Sequence, residues 1–163
     1  MKIFRWEKRL FTDTYKIYSA NHQIGAMKNK SFSKSSIGDI NGKSYTFKTN
    51  GFFKQHTEII DNIDNSVIGE IDYNDWKTKA FLSIRNEKLT WKYDNIWNTK
   101  WSIYKSDTIG IKYTVSASGK QIDSYTEDDL LVLTGLYVTN YYSQMTIAVL
   151  VAVFIPIWAS LSN

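Results

Sequence analysis

From Tyr15 to Tyr125, apolar and polar residues alternate with a period of two in short stretches rich in Ile, Val, Thr, Tyr, Phe and Trp. That period sends successive side chains to opposite faces of a strand, so the body of the chain is predicted to be a series of short β-strands. The clearest stretches are Lys43 to Thr49, Leu89 to Tyr93 and Ile109 to Val115. Similar patterns run over Tyr15 to Ala20, Gln23 to Met27, Gln55 to Ile60, Ser66 to Tyr73, Thr78 to Arg85, Thr99 to Tyr104 and Lys120 to Tyr125. Between them, Asn41-Gly42 and Asn50-Gly51 tolerate positive φ, and Asp61-Asn62 with Asp64-Asn65 favours a tight reversal. Before Thr126 no stretch keeps the i, i+3, i+4, i+7 repeat of an amphipathic helix. About twelve short strands joined by such turns predict a mainly β protein, a closed antiparallel barrel in preference to a sandwich, since closure removes exposed strand edges.

The pattern changes at Thr126-Glu127-Asp128-Asp129. A threonine followed by three carboxylates supplies an N-cap and negative charge where the positive end of a helix dipole would sit. From Leu130 to Asn163 no side chain is charged. Leu130, Leu131, Leu133, Leu136 and Tyr137 surround a helix axis instead of forming one stripe, the mark of a helix buried on all sides. A helix over about 127–142 is therefore expected to plug the barrel, with 1–142 as one domain. A barrel about 20 Å tall needs only some 13 to 16 helical residues.

After Asn140 to Gln144 a second apolar run, 145–161, exceeds that need. Its Ile147, Val149, Leu150, Val153, Phe154 and Trp158 are the candidate membrane-contacting residues, and at about 1.5 Å per residue the run lies at the lower limit of a spanning helix. Tyr141 and Tyr142 on one side and Trp158 on the other resemble an interfacial aromatic belt. The competing expectation is one continuous helix buried in a longer barrel.

Charge is uneven: residues 1–60 hold 11 Lys or Arg against 4 Asp or Glu, whereas 61–129 hold 9 against 12. The basic N-terminal third could meet anionic lipid head groups, with Lys28, Lys30 and Lys34 the candidate contacts. With no cysteine, disulfides, thiolate metal sites and cysteine nucleophiles are excluded. The start, MKIFRWEKRLF, lacks the uninterrupted apolar core of a secretory signal, so the β body is expected to face the cytoplasm.

Motifs for catalysis, nucleotide binding and metal binding are absent from the sequence. Ser116-Ala117-Ser118-Gly119-Lys120 lacks the upstream glycine of a phosphate loop and reads as a hairpin turn. Asp61-Asn62-Ile63-Asp64-Asn65 departs from the alternation of a calcium loop and reads as a turn. His22 and His56 lie far apart without a triad pattern. Trp91 and Trp101 share alternating apolar positions and read as core, while Trp76 and Trp97 fall in turn regions. No cofactor, metal or nucleic-acid partner is expected.

The segments GFFKQHTEIID at 51–61, SVIGEIDY at 66–73, KWSIY at 100–104 and DDLLVLTGLYV at 128–138 carry a resemblance to the tubby C-terminal superfamily, including its LURP-one-related and phospholipid scramblase-like members. It covers most of the chain as a pattern of strands followed by a terminal helix. The resemblance implies a twelve-stranded barrel enclosing an apolar helix, without a catalytic motif, and contact with membrane lipid. The function expected is that of a non-enzymatic, membrane-associated β-barrel. The alternatives are a soluble barrel with one long buried helix serving as a protein-interaction module, and a barrel that binds a small apolar ligand.

Overall fold

A computed structural model describes residues 1–8, 12–29, 35–51 and 55–161; in the final helix it describes the side chains of 130–149, 151 and 152. Twelve strands precede one helix: β1 (Lys2–Lys8), β2 (Thr14–Ser19), β3 (His22–Asn29), β4 (Ser35–Ile40), β5 (Lys43–Asn50), β6 (His56–Asp61), β7 (Val67–Tyr73), β8 (Lys79–Ile84), β9 (Glu87–Tyr93), β10 (Lys100–Lys105), β11 (Thr108–Ser116), β12 (Gly119–Ser124) and α1 (Leu130–Leu161). Each strand pairs antiparallel with its sequence neighbours, and β1 pairs with β12, Lys2 to Arg5 opposite Ser124 to Gln121, so the sheet closes on itself. The closed antiparallel barrel expected from the alternation is the fold observed.

The strand interiors follow the predicted alternation. Tyr45 and Phe47 of β5, Leu89 and Trp91 of β9, and Ile111 and Tyr113 of β11 all point inward and are buried. The turn chemistry holds as well. Asn41 and Gly42 take φ of 48° and 78°, the positive pair that a two-residue hairpin matched to strand twist requires. Asp61 and Asp64 accept from the amides of Ile63 and Ser66 at 3.0 and 2.9 Å, so the acidic segment between β6 and β7 is a turn.

Two strands lie outside the ten expected segments. β1 alternates Phe4 and Trp6 inward with Ile3, Arg5 and Glu7 outward. β4 directs Ser36, Gly38 and Ile40 inward. Its weak apolar signal has a packing cause: a Cβ added at Gly38 would stand 3.1 Å from a methyl of Leu133, so this wall is thinned to admit the helix.

α1 runs without interruption from Leu130 to Leu161, so Ser143 and Gln144 are helical and the second apolar run continues the same helix. What changes near Tyr142 is burial. Leu130, Leu131, Leu133, Leu136 and Tyr137 are buried inside the barrel, as is Tyr142, whereas Ser143 and Gln144 are exposed.

The start differs by a few residues. α1 begins at Leu130, where Asp128 Oδ1 accepts from the Leu130 amide at 3.2 Å and so does the capping assigned to Thr126. Thr126 instead accepts from the Asp128 amide at 3.1 Å, shaping the approach.

Candidate functional site

Because strands alternate in direction, the barrel has two chemically different ends. At the capped end the segment from Tyr125 to Asp129 crosses the mouth and leads into α1. Lys2 Nζ reaches Glu127 at 2.8 Å and Asp129 at 3.3 Å, Arg85 reaches Asp128 at 3.0 Å, and Asn41 Nδ2 donates to Asp129 at 2.6 Å. The hydrogen bond to Glu127 holds the Lys2 ammonium above the ordinary lysine range. This end also carries Asp61, Asp64 and Asp107 in its turns.

Inside, the first half of α1 fills the axis. Val132, Leu133, Leu136 and Val138 are fully buried, and a fully buried side chain of this size contributes about 1.5 to 3 kcal/mol. A barrel storing a small apolar ligand requires that axis to be empty, and α1 occupies it.

Toward the open end the interior becomes polar and aromatic. Thr49 Oγ1 lies 2.6 Å from the Tyr137 hydroxyl and 2.8 Å from Thr57, which in turn meets the Tyr73 hydroxyl at 2.7 Å. Tyr137 stacks on Phe47 with centroids 4.6 Å apart, and Tyr141 stacks on Tyr73 at 4.0 Å. The Tyr15 hydroxyl and Lys8 Nζ donate to Asn140 Oδ1 at 3.1 and 3.0 Å. Burial pushes the Lys8 ammonium below the ordinary lysine range. Finally, the Tyr142 hydroxyl donates to the Lys79 carbonyl. These side chains form a tyrosine collar that grips the helix where it leaves.

Beyond the collar the described part of α1 is mostly bare. Ile147, Val149 and Val151 are 57%, 53% and 50% exposed, and Gln144, Thr146, Ala148 and Ala152 are exposed too, while Met145 is half-buried. Leu150, Val153, Phe154 and Trp158, the other expected membrane-contacting residues, have side chains outside the described set. Among the described residues no helix is long and apolar enough to cross a membrane.

Beside the emerging helix a cleft of about 350 Å³ is lined by Lys77 and Asn98 from the β7–β8 and β9–β10 connections and by Ser143, Thr146 and Ile147 of α1. The same connections expose Trp76 and Trp97, at 85% and 77%. Sequence reasoning placed both tryptophans in turns without linking them to the helix. The signal was present: Asn-x-Trp-x-Thr-Lys occurs at 74–79 and again at 95–100.

Of the three candidate head-group lysines, Lys28 is an exposed residue near the open end of β3, not a loop residue, while Lys30 and Lys34 lie outside the described residues. Its neighbour Asn29 is buried. Lys28, Lys77, Lys79 and Lys100 share this end, alongside Asp75 and Asp94.

Trp91 and Trp101 are core residues, as their alternating positions predicted. His56 pairs with Asp72 at 3.0 Å on the outer surface, and the described residues include no group of three or more His, Asp or Glu side chains that could hold a metal ion. No family model, curated protein or solved structure matches this chain.

Proposed function

We propose that this protein is a non-enzymatic, membrane-associated barrel of the tubby-like kind, whose α1 plugs the barrel with its first half and enters a lipid bilayer with its second. One observation carries the reading: past Tyr142 the chain is uncharged, and the described side chains from Ser143 to Ala152, the half-buried Met145 apart, are exposed. Apolar surface left in water costs roughly 25 cal/mol per Å². A protein partner covers one stripe of a helix, whereas acyl chains surround it, and a helix apolar on all sides suits such a medium. Residues 145–161 reach about 26 Å as a helix, slightly less than the hydrocarbon core of a bilayer, so the proposed contact is insertion from the open end. The barrel-around-a-helix architecture supports the tubby-like resemblance by shape.

Flotation of the full-length protein with vesicles, followed by carbonate washing of the membrane fraction, tests the reading. Recovery in the vesicle layer after the wash is expected. Recovery of folded, unaggregated protein in the aqueous layer would reject it.

A further inference from the structure

Two neighbouring connections at the open end share one plan. In the first, Asn74 Oδ1 accepts from the amides of Thr78 and Lys79, both at 2.9 Å, and its Nδ2 donates to Thr78 Oγ1 at 3.0 Å. In the second, Asn95 Oδ1 accepts from the amides of Thr99 and Lys100 at 3.0 and 3.1 Å, and its Nδ2 donates to Thr99 Oγ1 at 2.7 Å. The residue after each tryptophan takes positive φ, 55° at Lys77 and 54° at Asn98, and its amide donates back to the asparagine carbonyl.

Each loop is thus held by its asparagine and threonine, while its indole takes no part. Trp76 and Trp97 make no ring contact among the described residues and are nearly bare. Large aromatic side chains are rarely left so exposed on a soluble surface. Here two are carried on the β7–β8 and β9–β10 connections of the same end, and the residue after each, Lys77 and Asn98, lines a cleft with Thr146 and Ile147 where the helix leaves the barrel.

We propose that these twin loops form a docking rim on the lipid bilayer, in which Trp76 and Trp97 lodge among the head groups while the barrel stands on the membrane, open end down. This rests on the insertion of α1 proposed above. The geometry that selects lipid is depth. Tryptophan prefers the interfacial layer, with its ring against the acyl boundary and its N–H toward water. An inserted α1 brings that layer to Ser143–Ile147, level with both indoles. Lys77, Lys79 and Lys100 on the same loops suit phosphate oxygens. The loops therefore fix the tilt of the barrel, which a single helix cannot do.

The test uses the full-length protein on mixed phosphatidylcholine–phosphatidylglycerol vesicles whose acyl chains carry bromine near the head-group end, with tryptophan emission as the readout. Trp6, Trp91 and Trp101 are buried within the barrel and contribute a common background, and every protein compared carries Trp158→Phe, so that the indole of the segment proposed to insert does not report. In the Trp76→Ala/Trp97→Ala protein on that background, flotation is retained and quenching falls to less than about half of the amplitude of the Trp158→Phe parent, because the indoles of the rim are gone. The single variants Trp76→Ala and Trp97→Ala each give an intermediate loss, and the anchoring asparagines keep the melting temperature of all three near that of wild type. Flotation with unchanged quenching in the double variant overturns the rim while leaving the inserted helix intact. Wild-type protein that does not float overturns both. A variant that floats normally but loses self-association identifies a second copy of the chain as the occupant instead.

Discussion

The hydroxyl of Tyr113 lies over the Cα of Gly135 and is shared between the carbonyls of Leu131 and Val132, at 2.8 and 3.1 Å. A wall residue thereby reads the depth of the helix, since only glycine lets the ring approach so closely. Depth in the barrel in turn sets how much of α1 emerges at the other end.

Gly135→Ala is expected to destabilise the protein. A methyl there overlaps the phenol, and overpacking of this kind costs about 1 to 3 kcal/mol, more than the gain of up to about 1 kcal/mol from replacing a helical glycine. Combining it with Tyr113→Leu recovers part of the loss, because the phenol oxygen and the ring carbons that overlap the added methyl are both removed. Thermal unfolding of the two single variants and the double variant measures this coupling, and strict additivity would reject the depth-gauge role.

Leu133→Ala is expected to cost about 2 to 5 kcal/mol, as for buried leucines generally. Leu133 is fully buried and packs on Gly38, whose wall has no side chain to move into the space. Chemical denaturation reads the effect directly; a cost well below 1 kcal/mol would mean that the axis is loosely filled.

Stability is expected to fall in alkali. Burial raises the phenols of Tyr73 and Tyr113 well above their ordinary value of 10.0, and Tyr15 is raised by burial as well. Between pH 10 and the folded-state values the native protein holds protons that the unfolded chain has released, so each group stabilises the fold fully below about pH 10 and progressively less above it. Circular dichroism followed from pH 8 to 12, with phenolate absorbance in parallel, should show ionisation and unfolding together. Phenolate appearing near pH 10 from these residues with the fold intact would contradict the burial.

Asn74→Ala should loosen more than Asn95→Ala, although the two loops match. Asn74 Oδ1 also lies 3.3 Å from the Tyr142 hydroxyl, so it joins the loop to the tyrosine collar. Losses of about 1 kcal/mol per hydrogen bond are expected. Hydrogen exchange at the Thr78 and Lys79 amides, compared with Thr99 and Lys100, resolves the difference.

Val149→Asp should abolish vesicle flotation without lowering the melting temperature. The side chain is half exposed beyond the collar, so the barrel loses nothing, whereas a carboxylate within the acyl region costs about 2.5 to 3.5 kcal/mol. Flotation equal to wild type would place the outer half of α1 elsewhere.

Much of this architecture could be read from the chain before its structure. The alternation that defined β5, β9 and β11 works because one face of each strand meets a dry interior and the other meets water. It fails at β4, where Ser36 and Gly38 face inward: the helix supplies the bulk that a wall side chain would otherwise provide, and that exchange between distant segments leaves no local periodicity. Ser143 and Gln144 separate two apolar runs in the sequence, and in the structure both runs belong to one helix. Polar residues there mark the level at which α1 leaves the barrel, and a helix can change environment without interrupting its hydrogen bonds. The repeated Asn-x-Trp-x-Thr-Lys was visible in the sequence, but its meaning depends on two loops lying beside an emerging helix, which only the strand order supplies.

The β1–β12 seam has a consequence for how the molecule is made. One edge of β1 pairs with the neighbouring β2, but the other finds its partners, Lys2 to Arg5 opposite Ser124 to Gln121, nearly the whole length of the barrel later in sequence. Ordering so distant a contact carries a loop-closure cost and slows folding, so that outer edge of β1 stays open until β12 has been synthesised. α1 follows immediately after that strand and fills the axis, with the gap-filling Leu133 seated against Gly38 of β4. A ring already sealed would have to thread the helix. Wrapping the strands around α1 before the β1–β12 seam closes avoids that threading.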